Sequence, residues 1–311
     1  MDYRVSMLFL VMLLVADIGP VHPAGDPCQS RPDPAVAAPA DLLAQVPYGN
    51  GLLWRIEGHG IEPAYLFGTI HLEDPRVTEL PPAVRDAFES AGIFITEVVM
   101  HPAARAAYAQ GMRLPERTSL QQYLTAPLFQ RLVQITGEQY EVPAAVLDNL
   151  KPWAVFTLLS RPPPVTGRVL DDLLDAESVR LGKPVDGLET VEELVAVLDA
   201  IPLDDQITIL ADTICNRGKL TGQLEDLTNL YLRQDLAGML AVNASPHQDE
   251  ALFERFMERT LYQRNRRMAR RISDRLADGR LFIAVGALHL PGEMGILRIL
   301  ETRGYRISRV Y

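Results

Sequence analysis

A chain of 311 residues, 48% hydrophobic and 23% charged, is long enough for one large or two modest domains with a substantial core. Its 40 Asp and Glu against 30 Lys and Arg leave a formal net charge of −10. That balance argues against a nucleic-acid partner, because phosphate binding needs a basic face.

The first segment reads as a targeting sequence. Met1 to Arg4 is positively charged, and Val5 to Ala16 is a short apolar run followed by a stretch rich in Pro, Gly and Ala. Such a run is too short to cross a bilayer but suits a secretory signal peptide. We place the signal peptide at residues 1–24, with Ala24 as the candidate end. His22 fits poorly two residues earlier, and an uncleaved anchor is the other reading. After signal removal no stable membrane insertion is expected, and the location is periplasmic or secreted. Only Cys28 and Cys215 are present. An even number of cysteines in an exported chain favours one disulfide over two unlinked thiols. Gly25, Asp26 and Pro27 do not form the context of a lipidation site, which excludes a lipoprotein. Residues 25–41 are expected to be a linker, extended where it is Pro- and Ala-rich from Pro32 to Pro39.

From residue 42 the pattern is that of a folded domain. Gly51–Glu57 and Ala64–Thr69 read as two strands of a hairpin whose exit delivers His71. Pro81–Ser90 is a helix with proline in its first turn, stopped by Ala91-Gly92. Ile93–Val99 is nearly all apolar, as a strand buried on both faces should be. Its one carboxylate, Glu97, would be costly there unless paired, hydrogen-bonded or metal-bound.

Ala103 to Ser160 is mostly helical in pattern, with Pro162 to Pro164 as a break. Leu170–Leu181 is a further helix, and Lys183–Leu188 a short strand leading to Glu189. Thr190 and Glu193 have capping-box spacing. Helices follow over Leu203–Asn216, Gly222–Arg233 and Gln248–Leu276. The last carries Arg264, Asn265, Arg266, Arg267, Arg270 and Arg271, and a solvated basic face is the expectation for most of these arginines. Leu281–Val285 is a second buried strand, Pro291–Thr302 an amphipathic helix and Tyr305–Val310 a final strand.

Two of these strands end alike, in Gly68-x-x-His71 and Gly286-x-x-His289. A strand followed by this spacing places an imidazole just past the strand's carboxyl end, where open α/β sheets carry their sites, and the glycine allows close approach. A lone histidine in such a place is more often structural, but two of them with Glu97 point to a shared site. Two imidazoles and a carboxylate are suitable ligands for Zn²⁺, Mn²⁺ or Co²⁺ with positions left for water, whose proton such an ion makes more acidic. In a metal-free version one histidine is the general base, and the other, with an arginine, stabilises an oxyanion. Glu73 is a loop acid that would add charge to the site. Glu189 either supports the site or begins a helix. His59, His101 and His247 receive no role, and Trp153 is expected in the core.

The ordered motifs Phe67-Gly68-Thr69-Ile70-His71, the Glu97 strand, Lys151-Pro152-Trp153, Gly187-Leu188-Glu189-Thr190, Arg264-Asn265, and Val285-Gly286-Ala287-Leu288-His289-Leu290 with Gly292 and Gly295 resemble the TraB/GumN family. Gly304-Tyr305 fits as well, and the resemblance runs from about Leu42 to the C-terminus. It implies kinship with the Tiki proteins, described as divalent-metal-dependent proteases with paired Gly-x-x-His motifs and an essential glutamate, and with an erythromycin-esterase-like and haem-binding ChaN-like clan. On that reading His71, Glu97 and His289 are metal ligands and catalytic residues, Arg264 joins the catalytic set, and Gly68, Gly286, Glu73, Glu189 and Asn265 support it. Glu73 departs from the family, which commonly has a small residue there.

The expected fold is α/β: a central mixed sheet built from the N- and C-terminal regions, flanked by helices, with a large helical insertion at about residues 103–276. The expected function is an exported metal-dependent hydrolase acting on a peptide or protein. The alternatives are a non-catalytic protein that binds a peptide or haem-like ligand, and a metal-independent esterase. The expectation is geometric: His71, Glu97 and His289 should converge within metal-ligand reach.

Overall fold

The computed structural model describes Cys28 and residues 45–163, 168–243 and 249–311. The expected signal peptide and, apart from Cys28, the whole expected linker at residues 25–41 lie outside the described residues, as does His247.

Six strands form one mixed sheet in the order β4-β3-β5-β2-β1-β6. They are β1 (Leu53–Glu57), β2 (Ala64–Thr69), β3 (Ile93–Val98), β4 (Val185–Glu189), β5 (Leu281–Gly286) and β6 (Arg306–Arg309). Strands β4, β3, β5 and β2 run parallel, while β1 is antiparallel to both of its neighbours. The mixed α/β sheet expected from the sequence is therefore present. The β1–β2 pair is the expected hairpin, with Leu53 opposite Phe67 and Ile56 opposite Ala64. One refinement concerns β4, which lies within the region 103–276 and contributes an edge strand to the sheet.

The apolar runs explain this order. β5 has the sequence Leu-Phe-Ile-Ala-Val-Gly, and Leu281 to Val285 are all buried, so it takes the interior of the sheet with both faces covered. Helix α1 (Pro82–Ser90) closes one part of the sheet. Its Phe88 packs edge-on to Phe94 of β3 and Phe282 of β5, with ring centroids 5.5 and 5.1 Å apart, a preferred aromatic arrangement.

A second core belongs to the helices. It is built by Tyr108 of α2 (Pro102–Gly111), Leu128 and Leu132 of α3 (Ala126–Tyr140), Trp153 and Phe156 of α4 (Pro152–Leu159), and Ile209, Leu210 and Ile214 further on. Trp153 is wholly buried, as expected, and its indole N–H donates to Asp199 at 2.6 Å. Helix α5 spans Leu170–Arg180, and α6 (Val191–Asp199) begins with the expected capping box between Thr190 and Glu193. Helix α7 is Leu203–Asn216, followed by α8 (Leu220–Leu232) and α9 (Leu236–Asn243). His101, given no role from the sequence, caps α2 by accepting the Ala104 N–H at 3.1 Å.

The expected Gln248–Leu276 helix is divided. Helix α10 (Glu250–Met257) passes into a π turn over Glu258–Tyr262 before α11 (Gln263–Arg275). The wider turn resets the helical phase, and Arg264, Asn265, Met268, Ala269 and Ile272 consequently face inward. The expected Pro291–Thr302 helix is also shorter: residues 291–295 form turns, and α12 is Ile296–Thr302.

Cys28 and Cys215 form a disulfide with Cα atoms 5.0 Å apart, spanning 187 residues of sequence. It fastens the start of the chain to α7 at the edge of the second core. Thiol titration of denatured, unreduced protein is expected to find no free thiol; two would refute the bridge. Reduction should lower stability by about 2–4 kcal/mol, read as a lower urea midpoint. Among the described residues no helix is long and apolar enough to cross a membrane.

Candidate active site

The carboxyl ends of β3, β5 and β2 lie side by side, which gathers residues from both ends of the sequence. Gly68 of β2 is in register with Val285 of β5, and Thr69 with Gly286. Each glycine-histidine turn therefore leaves the sheet beside the other. A side chain at Gly68 would put its Cβ 2.8 Å from Leu290 Cδ1 and 3.1 Å from Ala287 Cα. Only glycine lets the two turns pack this closely. The Tyr231 hydroxyl of α8 fixes the same point by donating to the Gly68 carbonyl at 2.9 Å.

Glu97 is buried at the end of β3. Its Oε1 accepts the Gly286 N–H at 2.6 Å, and its Oε2 accepts from Arg264 Nη2 at 2.6 Å. Glu189, where β4 meets α6, accepts from the other edge of the same guanidinium: Oε2 lies 2.8 Å from Nε and 2.5 Å from Nη2. Glu189 Oε1 also accepts from Arg267 Nε at 2.8 Å. Arg271 reaches Glu193 and the Leu188 carbonyl. The expectation of a mainly solvated arginine face is thus corrected for Arg267 and Arg271, while Arg264, a site candidate from the sequence, is buried. The partners of all three come from β3, β4 and α6, distant in sequence, so the helix alone looked like a surface.

Burial holds the Glu97 carboxyl up to about 7, against the opposing pull of Arg264 and the Gly286 N–H. For Arg264, burial works against the charge, but the coulombic attraction and hydrogen bonds of Glu189 and Glu97 overcome it and raise its pKa. Paired in this way, buried charges are retained where isolated ones would not be.

His289 is tied into this network. Its Nδ1 lies 2.5 Å from Asn265 Oδ1, whose amide nitrogen donates to the Met294 carbonyl at 2.8 Å. That second bond orients the amide, so Nδ1 carries the proton and Nε2 keeps its lone pair. Arg264 Nη1 lies 3.4 Å from that Nε2, and Glu97 Oε1 lies 3.9 Å away. Burial, and then the Arg264 charge, keep His289 well below the usual histidine range. It is a neutral imidazole beside a cation.

His71 has the opposite surroundings. Its Nδ1 lies 3.3 Å from Asp171 Oδ2 in the first turn of α5, and Thr69 Oγ1 donates to Asp171 Oδ1 at 2.8 Å. Burial pushes the Asp171 carboxyl up, but the bonds and charge of His71 and the Thr69 hydroxyl hold it below the usual carboxylate range. Nε2 of His71 is buried and, among the described residues, has no hydrogen-bond partner. Asp171 is the residue that the sequence reading missed. It stands beside Asp172 in a helical first turn, where acidic residues are ordinary, and no local signal separates the two.

The candidates therefore fall into two groups. Glu97, Glu189, Arg264, Asn265, Gly286 and His289 form one buried network. His71 pairs with Thr69 and Asp171, and Gly68 lies at the contact between the turns. Glu73 is half-buried in the loop after His71. Among the described residues, no three of His, Cys, Asp and Glu converge to hold a metal ion. The reason is visible in the bonding: both Glu97 oxygens are engaged, and the Arg264 cation stands beside the His289 lone pair. Only Nε2 of His71 offers an unengaged donor, so the donor set in this arrangement does not fit a three-ligand ion.

Comparison with known proteins agrees with the ordered motifs. The chain is 26% identical over 313 residues to Metalloprotease TIKI2 of Xenopus tropicalis, covering 83% of this chain and 60% of that protein. It is 25% identical over 325 residues to Metalloprotease TIKI1 of Homo sapiens, covering 87% of this chain and 64% of that protein. The Metalloprotease TIKI homolog of Nematostella vectensis is 25% identical over 318 residues, covering 84% and 67%. The chain thus spans about three fifths of the length of the first of these relatives. No solved structure gives a significant match. The TraB/PrgY/gumN family pattern matches residues 52–309, most of the chain, and this protein belongs to the TraB/PrgY/gumN family.

Proposed function

We propose that this chain is an exported hydrolase of the peptidase kind, with its site at the carboxyl ends of β2, β3 and β5. The observation that carries the reading is the contrast between its two buried imidazoles. His71 lies against the Asp171 carboxylate with Nε2 unengaged, whereas His289 lies against the Arg264 guanidinium and is held neutral. Titratable groups of one type in opposed surroundings are how a single site separates a proton acceptor from an electrostatic stabiliser.

In this reading His71 Nε2 accepts a proton from water as the water oxygen attacks a peptide carbonyl. The Arg264 guanidinium, with the neutral His289 ring beside it, supplies the positive charge toward the carbonyl oxygen as its own charge develops. The same proton then passes to the leaving nitrogen, so the products are an amine and a carboxylic acid. The peptide substrate class draws support from the printed name of the relatives, metalloprotease. That name also brings in a metal, for which Mn²⁺, Co²⁺ or Zn²⁺ is the expectation from the sequence. Because the donor set as folded does not fit such an ion, no step here is assigned to one. Export is supported by the disulfide, which persists in oxidising compartments.

A peptide library incubated with untagged protein, with and without added Mn²⁺ or Co²⁺, tests the proposal. Cleavage by the wild type and its loss by roughly 100-fold in His71→Ala is the expected result. His289→Ala should lose activity as well. Tight peptide capture without products would replace the hydrolase with a binding protein. Metal that co-purifies with the wild type and is absent from both variants would restore the histidines as ligands.

A further inference from the structure

Asp171 is one element of the site that the sequence motifs do not assign. Its carboxylate has two fixed neighbours. Thr69 Oγ1, on the last residue of β2, donates to Oδ1, and His71 Nδ1, two residues further along, meets Oδ2. The hydroxyl of Thr69 also lies 3.4 Å from the Val285 carbonyl of β5. The head of β2 and the start of α5 are thereby joined through a single carboxylate that grips a Thr-x-His segment at both ends.

The grip acts on one atom. A neutral histidine ring has one donor nitrogen and one acceptor nitrogen, and the hydrogen bond at one of them decides the role of the other. A carboxylate at Nδ1 can only accept, so Nδ1 must carry the hydrogen and Nε2 the lone pair. The His71 side chain is 4% exposed, against 28% for Asp171. A buried, unengaged acceptor is unfavourable. It persists because Asp171 and Thr69 hold the ring.

We propose that Asp171 is the positioning residue of the site: with Thr69 it holds His71 in the Nδ1–H form, so that Nε2 is the atom that accepts a proton. This rests on the hydrolase reading only for the identity of the proton's source. The orientation itself follows from Thr69, His71 and Asp171. The same arrangement does not exist at His289, where a neutral amide rather than a carboxylate meets Nδ1 and Arg264 stands at Nε2. The two histidines share a tautomer, but only His71 combines it with an adjacent anion and an unengaged acceptor.

The test is long-range ¹H–¹⁵N correlation spectroscopy of the full chain labelled with ¹⁵N-histidine, the His71 signals being identified by their loss in His71→Ala. In the wild type at neutral pH, His71 is expected to show the Nδ1–H pattern. In Asp171→Ala the ring loses its acceptor, and the signal should move to the Nε2–H form that free histidine prefers. An Nε2–H pattern in the wild type overturns the proposal without reference to any variant. An unchanged Nδ1–H pattern in folded Asp171→Ala overturns it as well. For a peptide that the wild type cleaves, Asp171→Ala should reduce kcat by roughly 100-fold with KM unchanged. If the expected tautomers are seen while no peptide is cleaved, the positioning role stands and the hydrolase reading falls.

Discussion

Replacing Arg264 by Met should destabilise the protein by about 3–5 kcal/mol, the range for removing one partner of a buried ion pair. For a chain of this size that lowers Tm by roughly 6–20 °C, measurable by calorimetry. The size of the effect comes from the two carboxylates left behind. Glu97 and Glu189 are both buried and both bond to Arg264. Glu189 keeps Arg267, but Glu97 keeps only the Gly286 N–H. Glu97→Gln should cost less, since Arg264 retains Glu189 and no buried charge is left unpaired, while the amide oxygen replaces only one of the two bonds that the carboxylate accepts. The two variants also separate in pH dependence. Burial raises the Glu97 pKa from 4.5 to about 7 in the folded chain, so between those values the folded state holds a proton that the unfolded state has released. The stability this contributes is present below the unfolded value and is lost as pH rises through about 7. His289 works in the opposite sense. Its lowered pKa contributes stability above the usual histidine value that is lost as pH falls below it. Because His289 is common to both proteins, wild type minus Glu97→Gln reads the carboxyl together with its coupling to the ring 3.9 Å away. Their Tm difference should shift against the wild type between about pH 5 and about pH 8, and parallel profiles would disprove the assignment.

Gly295→Ala should be the most damaging of the conservative glycine substitutions. A Cβ there would sit 2.2 Å from the Leu290 carbonyl oxygen and 2.3 Å from that of Pro291. Both are backbone atoms, so no side-chain rotation relieves the overlap, and the whole turn before α12 must move. Overpacking of this kind costs about 1–3 kcal/mol, and more where backbone is displaced. The turn also carries the Met294 carbonyl that holds Asn265, which in turn holds His289. We expect Gly295→Ala to lower Tm and to reduce any hydrolytic activity by more than the loss of folded protein explains. A Tm equal to the wild type's would show that the turn can relax without strain.

The strands were legible because each carries its own signal. Ala64–Thr69 and Ile93–Val98 are short apolar runs between turn residues, and the capping box at Thr190 is a local pattern with a local cause. The π turn at Glu258–Tyr262 has no such mark: it widens a helix by one residue while the composition stays helical. The inward face of α11 followed the same rule, because the acids that accept its arginines arrive from β3, β4 and α6. Asp171 was hidden for the most ordinary reason, as an acidic residue where helices commonly begin. At the site, Glu97 was marked by its apolar strand, and the two histidines by matched glycines. What sequence spacing could not show was that an arginine stands between Glu97 and His289.

The position of β5 within the sheet has a consequence for how the protein forms. It lies between β2 and β3, yet it comes from residues 281–286, long after both of its neighbours in the chain. Until those residues are available, β2 and β3 have no common partner, and β1 still lacks β6 on its other side. The sheet therefore closes through its most distant contacts, which makes folding slow compared with a protein built from local pairings. During that interval the apolar edges of β2 and β3 are open to aggregation or to chaperones. Glu97 meets Gly286 only when β5 inserts, and His289 arrives on the same segment. Closure of the sheet and assembly of the site are one event, so a folding intermediate without β5 has no assembled site.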